Sequence, residues 1–323
     1  MPSPTCNDFS THSNSMPRTQ RRITASVLAI VAIAACGDKV TATETEPTAT
    51  TSVSTETGLQ SAKWGSNVTV TFANGSIRYR SNGLPNHTRQ AEYALPNAGV
   101  RVPSAATAYA APDPTQSQSY DFTITTKPTK AATPTSTSLG TIGVMISGAA
   151  LFNPYEGDGT TVAMASNFTV RNSAGKDVAF LDACNGHPTP MGMYHYHALP
   201  PCVTATVDVA GGPSHIIGIA FDGYPIYGDR DINGRQLAAA DLDQCSGITS
   251  ATPEFPNGTY HYVLLATANS SSSIRCFSGK LSSTASAMLS TMSMNMTSSM
   301  SGMPYLNSGQ TQVRAASARS SAR

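Results

Sequence analysis

Polar and apolar residues alternate along most of the middle of the chain. Val68-Thr69-Val70-Thr71-Phe72 and Ile77-Arg78-Tyr79-Arg80 place an apolar side chain at every second position, the period of a strand with one buried face. Between them stands Asn74-Gly75, a pair that tolerates positive φ and predicts a tight hairpin. Asp121–Thr126, Ile142–Ile146, Phe168–Arg171, Val203–Val209 and Ile216–Phe221 read as further short strands, with Pro and Gly clusters between them. Only Gln236–Asp243 carries a helical pattern, and it is short. The expectation is an all-β or mainly β, sandwich-like domain over residues 59–281.

The same middle region says one thing twice. Leu181-Asp182-Ala183-Cys184-Asn185-Gly186 runs on to Gly192-Met193-Tyr194-His195-Tyr196-His197, and Leu242-Asp243-Gln244-Cys245-Ser246-Gly247 runs on to Gly258-Thr259-Tyr260-His261-Tyr262-Val263. Each copy delivers an imidazole on a short aromatic strand beside a cysteine.

The ends differ in composition from the body. Arg18, Arg21 and Arg22 precede an apolar run, Ile23 to Ala35, of about 13 residues, too short to span a bilayer and right for a signal peptide. It ends in Ile33-Ala34-Ala35-Cys36, which resembles a bacterial lipobox with Cys36 as the lipidated mature N-terminus. Met16 is the expected start, residues 1–15 being an over-extension, 16–35 the signal peptide and 36–58 a Thr-rich tether. Residues 282–323 are Ser-rich and hold Met288, Met292, Met294, Met296, Met300 and Met303, half of the 12 methionines of the chain. This tail is expected to be disordered, and its thioethers suit Cu(I). The destination implied is the cell envelope, with a lipid anchor in a membrane, the outer membrane by preference.

With Cys6 upstream and Cys36 on lipid, four cysteines remain: Cys184, Cys202, Cys245 and Cys276. In an oxidising compartment an even set reads as disulfides. Of the three pairings, Cys184–Cys202 with Cys245–Cys276 is preferred, because each bond then closes its own copy of the repeat. Thiolate metal ligands are the competing reading. Charge adds an exclusion: with 12% charged residues and a net charge of +1, no basic patch for nucleic acid is present.

Tyr194-His195-Tyr196-His197, preceded by Leu181 to His187, resembles the signature of the YHYH family of exported bacterial proteins. Ser81-Asn82-Gly83-Leu84-Pro85-Asn86-His87, Ile219 to Gly228, Gly258 to Tyr262 and Arg275-Cys276-Phe277 are similar to it too. The likeness covers about Val68 to Gly279. The family is known mainly by its motif, so the resemblance implies export and transfers no catalytic residue.

On a strand, His195 and His197 share one face while Tyr194 and Tyr196 share the other. Two imidazoles at that spacing can chelate one ion. His187, His261 and His215 are the candidates for further ligands, with His261 facing the same centre if the two copies pair about a pseudo-twofold axis. Asp222 is expected either to serve its own turn or to orient a ligand histidine. Asp182 and Asp243 are expected to cap. Imidazoles suit copper and zinc alike; the methionine run, with Met191 and Met193 near the strand, favours copper. Three functions remain open: a copper-binding lipoprotein, a metal-dependent hydrolase or copper redox enzyme, and an adhesion module whose tyrosines stack on glycan.

Overall fold

The computed structural model describes residues 54–290; the signal peptide, Cys36, residues 36–53 of the tether and the tail beyond Ser290 lie outside them. A short helix, α1 (Glu56–Ser61), leads into the hairpin β1 (Val68–Ala73) and β2 (Ser76–Ser81). Asn74 and Gly75 both adopt positive φ, 53° and 72°, as the turn between right-twisted strands requires. β3 (Glu92–Pro96) and β4 (Ala108–Pro112) form a hairpin of their own, and β5 (Tyr120–Thr125) returns to pair with β2. Along β5 the side chains of Tyr120, Phe122 and Ile124 are buried and those between are exposed. β6 (Lys130–Ser136) waits for the last strand, β17 (Cys276–Gly279), and pairs with it antiparallel.

The main sheet begins with β7 (Thr141–Met145) and β8 (Ala150–Phe152). A small hairpin, β9 (Thr169–Arg171) and β10 (Asp177–Ala179), intervenes. β11 (Gly186–Pro188) and β12 (Tyr194–Tyr196) carry the first repeat copy. After β13 (Ile216–Ala220) and β14 (Pro225–Tyr227), the strands β15 (Gly247–Ser250) and β16 (Thr259–Val263) carry the second. These eight strands lie in the order β11-β12-β8-β7-β13-β14-β16-β15. The strands β7, β8, β12, β13, β14 and β16 are buried throughout; β7, β8 and β13 accordingly read as largely apolar runs, while β12 and β16 alternate tyrosine with histidine. The three-stranded sheet covers part of them: Phe122 meets Phe221 edge-on at 5.2 Å, and the Tyr79 hydroxyl donates to the Met145 carbonyl at 3.0 Å. The protein is mainly β, built of several sheets, as the alternation implied.

The order of the main sheet is a palindrome. β7 and β13 pair antiparallel at its centre. On each side lies a tight turn to the next strand, then a parallel neighbour from the repeat, then that neighbour's antiparallel partner. The duplication therefore extends upstream of the cysteine motif. Gly143-Val144-Met145-Ile146-Ser147-Gly148 matches Gly218-Ile219-Ala220-Phe221-Asp222-Gly223, with Gly148 and Gly223 in the left-handed region at φ 100° and 91°.

Three expectations need correction. Val203–Val209 is not a strand: α2 (Pro201–Thr204) opens there on a proline at its first turn, a position that suits proline, and Val203 and Val207, four residues apart, are both buried. Gln236–Asp243 forms no more than a three-residue 3-10 turn at Ala239–Asp241, since so short a run cannot repay helix nucleation. The window 59–281 is also too narrow. Thr55 is buried, and a helical segment from Ser283 to Ser290 buries Ala285 and Leu289 and packs Met288 against the core.

Candidate metal centre

Each repeat copy is a knot built from its motif residues. Asp182 Oδ1 accepts the amides of Cys184 and Gly186, at 2.8 and 3.2 Å, and Asp243 Oδ1 accepts those of Cys245 and Gly247, at 2.9 and 3.0 Å. The residue between cysteine and glycine turns left-handed in both, Asn185 at φ 58° and Ser246 at φ 69°. The other carboxylate oxygen takes the first tyrosine of the strand: Tyr194 to Asp182 at 2.7 Å, Tyr260 to Asp243 at 3.0 Å. The phenol crosses directly over the motif glycine, where a Cβ would overlap it. This explains why Asp, Gly and Tyr recur together. The second tyrosine reaches the central turns, Tyr196 to Ser147 at 3.1 Å and Tyr262 to Asp222 at 2.5 Å.

Both disulfides form within their own copies, Cys184–Cys202 and Cys245–Cys276. His87 Nδ1 lies 3.3 Å from Cys184 Sγ and its Nε2 is 2.7 Å from the Tyr196 hydroxyl. His87, Cys184 and Cys202 are near enough to share an ion, but with the disulfide formed the sulfurs are committed.

With the tyrosines held on one face, the histidines of β12 take the other. His195 Nε2 and His197 Nε2 stand 2.9 Å apart. His187, paired with His195 across β11 and β12, completes a buried group of three whose ligand atoms lie within 4.8 Å of one another. Phe152 stacks on His195 at 3.9 Å and Phe180 meets His187 edge-on at 4.2 Å.

The outer nitrogens define the inner ones. His195 Nδ1 lies 3.1 Å from the Met193 carbonyl and His197 Nδ1 2.6 Å from the Asn153 carbonyl. A carbonyl only accepts, so the short Asn153 contact puts the His197 hydrogen on Nδ1 and turns a bare Nε2 inward, while the single hydrogen of neutral His195 serves either the Met193 carbonyl or His197 Nε2. His187 Nε2 is buried with no hydrogen-bond partner among the described residues. Burial holds all three rings in the neutral form, His197 down to about 4 and the other two well below their ordinary value. Three neutral imidazoles therefore converge in buried surroundings, each with a nitrogen able to ligate. A tetrahedral ion with 2.0–2.1 Å bonds wants its nitrogens about 3.3 Å apart, so the 2.9 Å pair needs to open by only a few tenths of an ångström.

Other expected residues lie elsewhere. His261 sits on β16, separated from β12 by β8, β7, β13 and β14; the pseudo-twofold sends it to the opposite end of the sheet rather than to a shared centre. Its Nδ1 meets the Thr259 carbonyl at 3.1 Å and its ring meets Tyr227 edge-on, repeating the setting of His195 with Met193 and Phe152. Ile248 and Val263 stand where the first copy has His187 and His197. His215 pairs with Glu254 at 2.7 Å. Asp222 touches no histidine in its hydrogen bonds: it accepts from Tyr262, Gly279 and Tyr224, and burial raises its carboxyl to about 6. Met193 supplies its carbonyl, and Met191 is 59% exposed.

Sequence reasoning missed the Asn153 carbonyl and Glu156. Aligning the copies upstream of the cysteine motif brings Asn153 into view, three residues from Glu156. The histidines line a cavity with Phe152, Tyr155, Glu156, Phe180 and Arg101.

A mainly β fold carrying a doubled cysteine–tyrosine–histidine knot defines the class. The YHYH protein family model matches residues 121–237 and 230–279. Through this span the chain belongs to the YHYH family. No curated protein and no solved structure matches it.

Proposed function

We propose that this protein binds one divalent transition-metal ion through the Nε2 atoms of His187, His195 and His197. The observation that supports this is the convergence of three buried imidazoles: their ligand atoms lie within 4.8 Å, His187 Nε2 has no hydrogen-bond partner among the described residues, and with each Nδ1 of His195 and His197 bonded to its carbonyl two lone pairs face one another at 2.9 Å. Facing lone pairs repel, and a bound cation turns that repulsion into ligation. Nitrogen ligation with an open fourth position suits Cu(II) and Zn(II). Copper is the preferred ion on the strength of the methionine-rich tail. With this goes the reading of the N-terminus as a lipobox: an envelope protein anchored to a membrane through lipid on Cys36. Among the described residues no helix is long and apolar enough to cross a membrane.

The test is metal content. Protein purified without a tag and dialysed should retain one equivalent of copper or zinc, and the double variant His195→Ala/His197→Ala should retain none. A double variant that binds as well as the parent would make the strand a structural element alone. That outcome would leave the adhesion reading ahead of the metal enzyme.

A further inference from the structure

The cavity beside the three histidines holds a second orphan. Glu156 is buried, 7% exposed, and its Oε1 has no hydrogen-bond partner among the described residues. Glu156 and His187, whose Nε2 is also unpartnered, line the same cavity, with Phe152 and Phe180 among its apolar walls. Two buried polar atoms without partners, on residues of one cavity, are costly unless something satisfies them.

Glu156 is also held rigidly. Its amide donates to the Thr161 carbonyl at 2.8 Å, Tyr155 bridges to Val162, and Asp158 ties the head of this loop through the amides of Thr160 and Thr161. The charged and titratable groups around it are Asp158 on its own loop and Arg101, Tyr155, His187, His195 and His197 lining the cavity. The space is small, about 60 Å³, room for a few waters or a ligand of a few atoms.

We propose that Glu156 is the proton acceptor for a water or a small hydroxyl-bearing ligand held in this cavity by an ion on His187, His195 and His197. This rests on the metal reading above and makes the site a water-activating centre rather than a store. The water O–H bond breaks, its proton forms a bond to a Glu156 carboxyl oxygen, and hydroxide remains at the open position. Burial raises the Glu156 carboxyl to about 8 in the ion-free protein, and an ion on the three histidines would lower it toward the carboxylate that accepts a proton.

Co(II) is the probe, because its d–d absorption reports the ionisation of bound water. Parent and Glu156→Gln should each bind one Co(II) with affinities within about threefold. The parent spectrum should change with pH in two coupled steps, and the E156Q spectrum in one. In the loaded parent the infrared band of a protonated carboxyl should vanish in one of those steps, a readout that needs no variant. Identical pH titrations for parent and E156Q, or an infrared band indifferent to the spectral steps, overturn the assignment while the metal reading stands. A Co(II) affinity more than about tenfold weaker in E156Q makes Glu156 a ligand and overturns it as stated. Failure of the parent to bind Co(II) at all overturns both.

Discussion

At the scale of single residues, burial sets the protonation of the histidines. His197 and His261 are both pushed down to about 4, chiefly because burial penalises the charged ring. The unfolded chain takes up protons first, near the ordinary value of about 6.5. Their contribution to stability is therefore complete above about pH 6.5 and is lost as the pH falls toward 4. At pH 5.5 each should have lost about 1 kcal/mol. Urea unfolding of metal-free parent and His261→Asn at pH 7.5 and 5.5 isolates this share from the opposite contribution of Glu156 and Asp222, whose carboxyls burial raises; an equal pH dependence in both would mean that the His261 ring is solvated in the folded state. Metal affinity of the folded protein should hold through this range and fall only near and below about pH 4, where protons begin to compete for the buried rings. The pairing of His195 with His197 was legible in the chain, since alternation alone puts them on one face. That each ring turns its Nδ1 to a backbone carbonyl was not. It depends on Met193 and Asn153, and the latter comes from the distant segment that follows β8.

At the scale of elements, the Cys184–Cys202 ring contains all three histidines of the group, while the Cys245–Cys276 ring contains His261 alone. Rings of these lengths stabilise by about 3 to 4 kcal/mol each through loop entropy. Their removal should separate in function. Cys184→Ser/Cys202→Ser is expected to weaken metal binding by at least tenfold in competition against a chromophoric chelator. Cys245→Ser/Cys276→Ser should lower the melting temperature comparably with little change in affinity. Equal effects on affinity would show that the first ring does not hold the ligands in place. The pairing of these cysteines was readable from the repeat because each bond is local to its own copy. The segment after Cys202 was not, since Val203, Val207 and Val209 satisfy several periods over so short a run; the prolines before it and the packing of Val203 and Val207 decide for a helical turn.

At the scale of the whole molecule, the main sheet is two related halves about the β7–β13 pair, and only one half carries three histidines. The second retains the Asp243 knot, the Tyr227–His261 contact and the backbone carbonyl that receives His261 Nδ1. It lacks two imidazoles. Restoring them with Ile248→His and Val263→His should therefore raise zinc stoichiometry from one to two equivalents by titration calorimetry. A variant that folds and still binds one equivalent would show that the halves match in backbone but not in side-chain direction.

The chain by itself determined the β class, the hairpin at Asn74-Gly75, both disulfides and the common face of His195 and His197, because period, turn chemistry and a repeated motif are all local properties. Tertiary structure decided the rest. It brought His187 into the group by pairing β11 with β12, and it sent His261 to the far end of the sheet. It also turned Asp222 toward Tyr262 and set Glu156 beside the histidines. Each of these depends on strand order and on which segments a buried cavity gathers, and in a sheet with parallel pairings no local signal along the chain encodes that order.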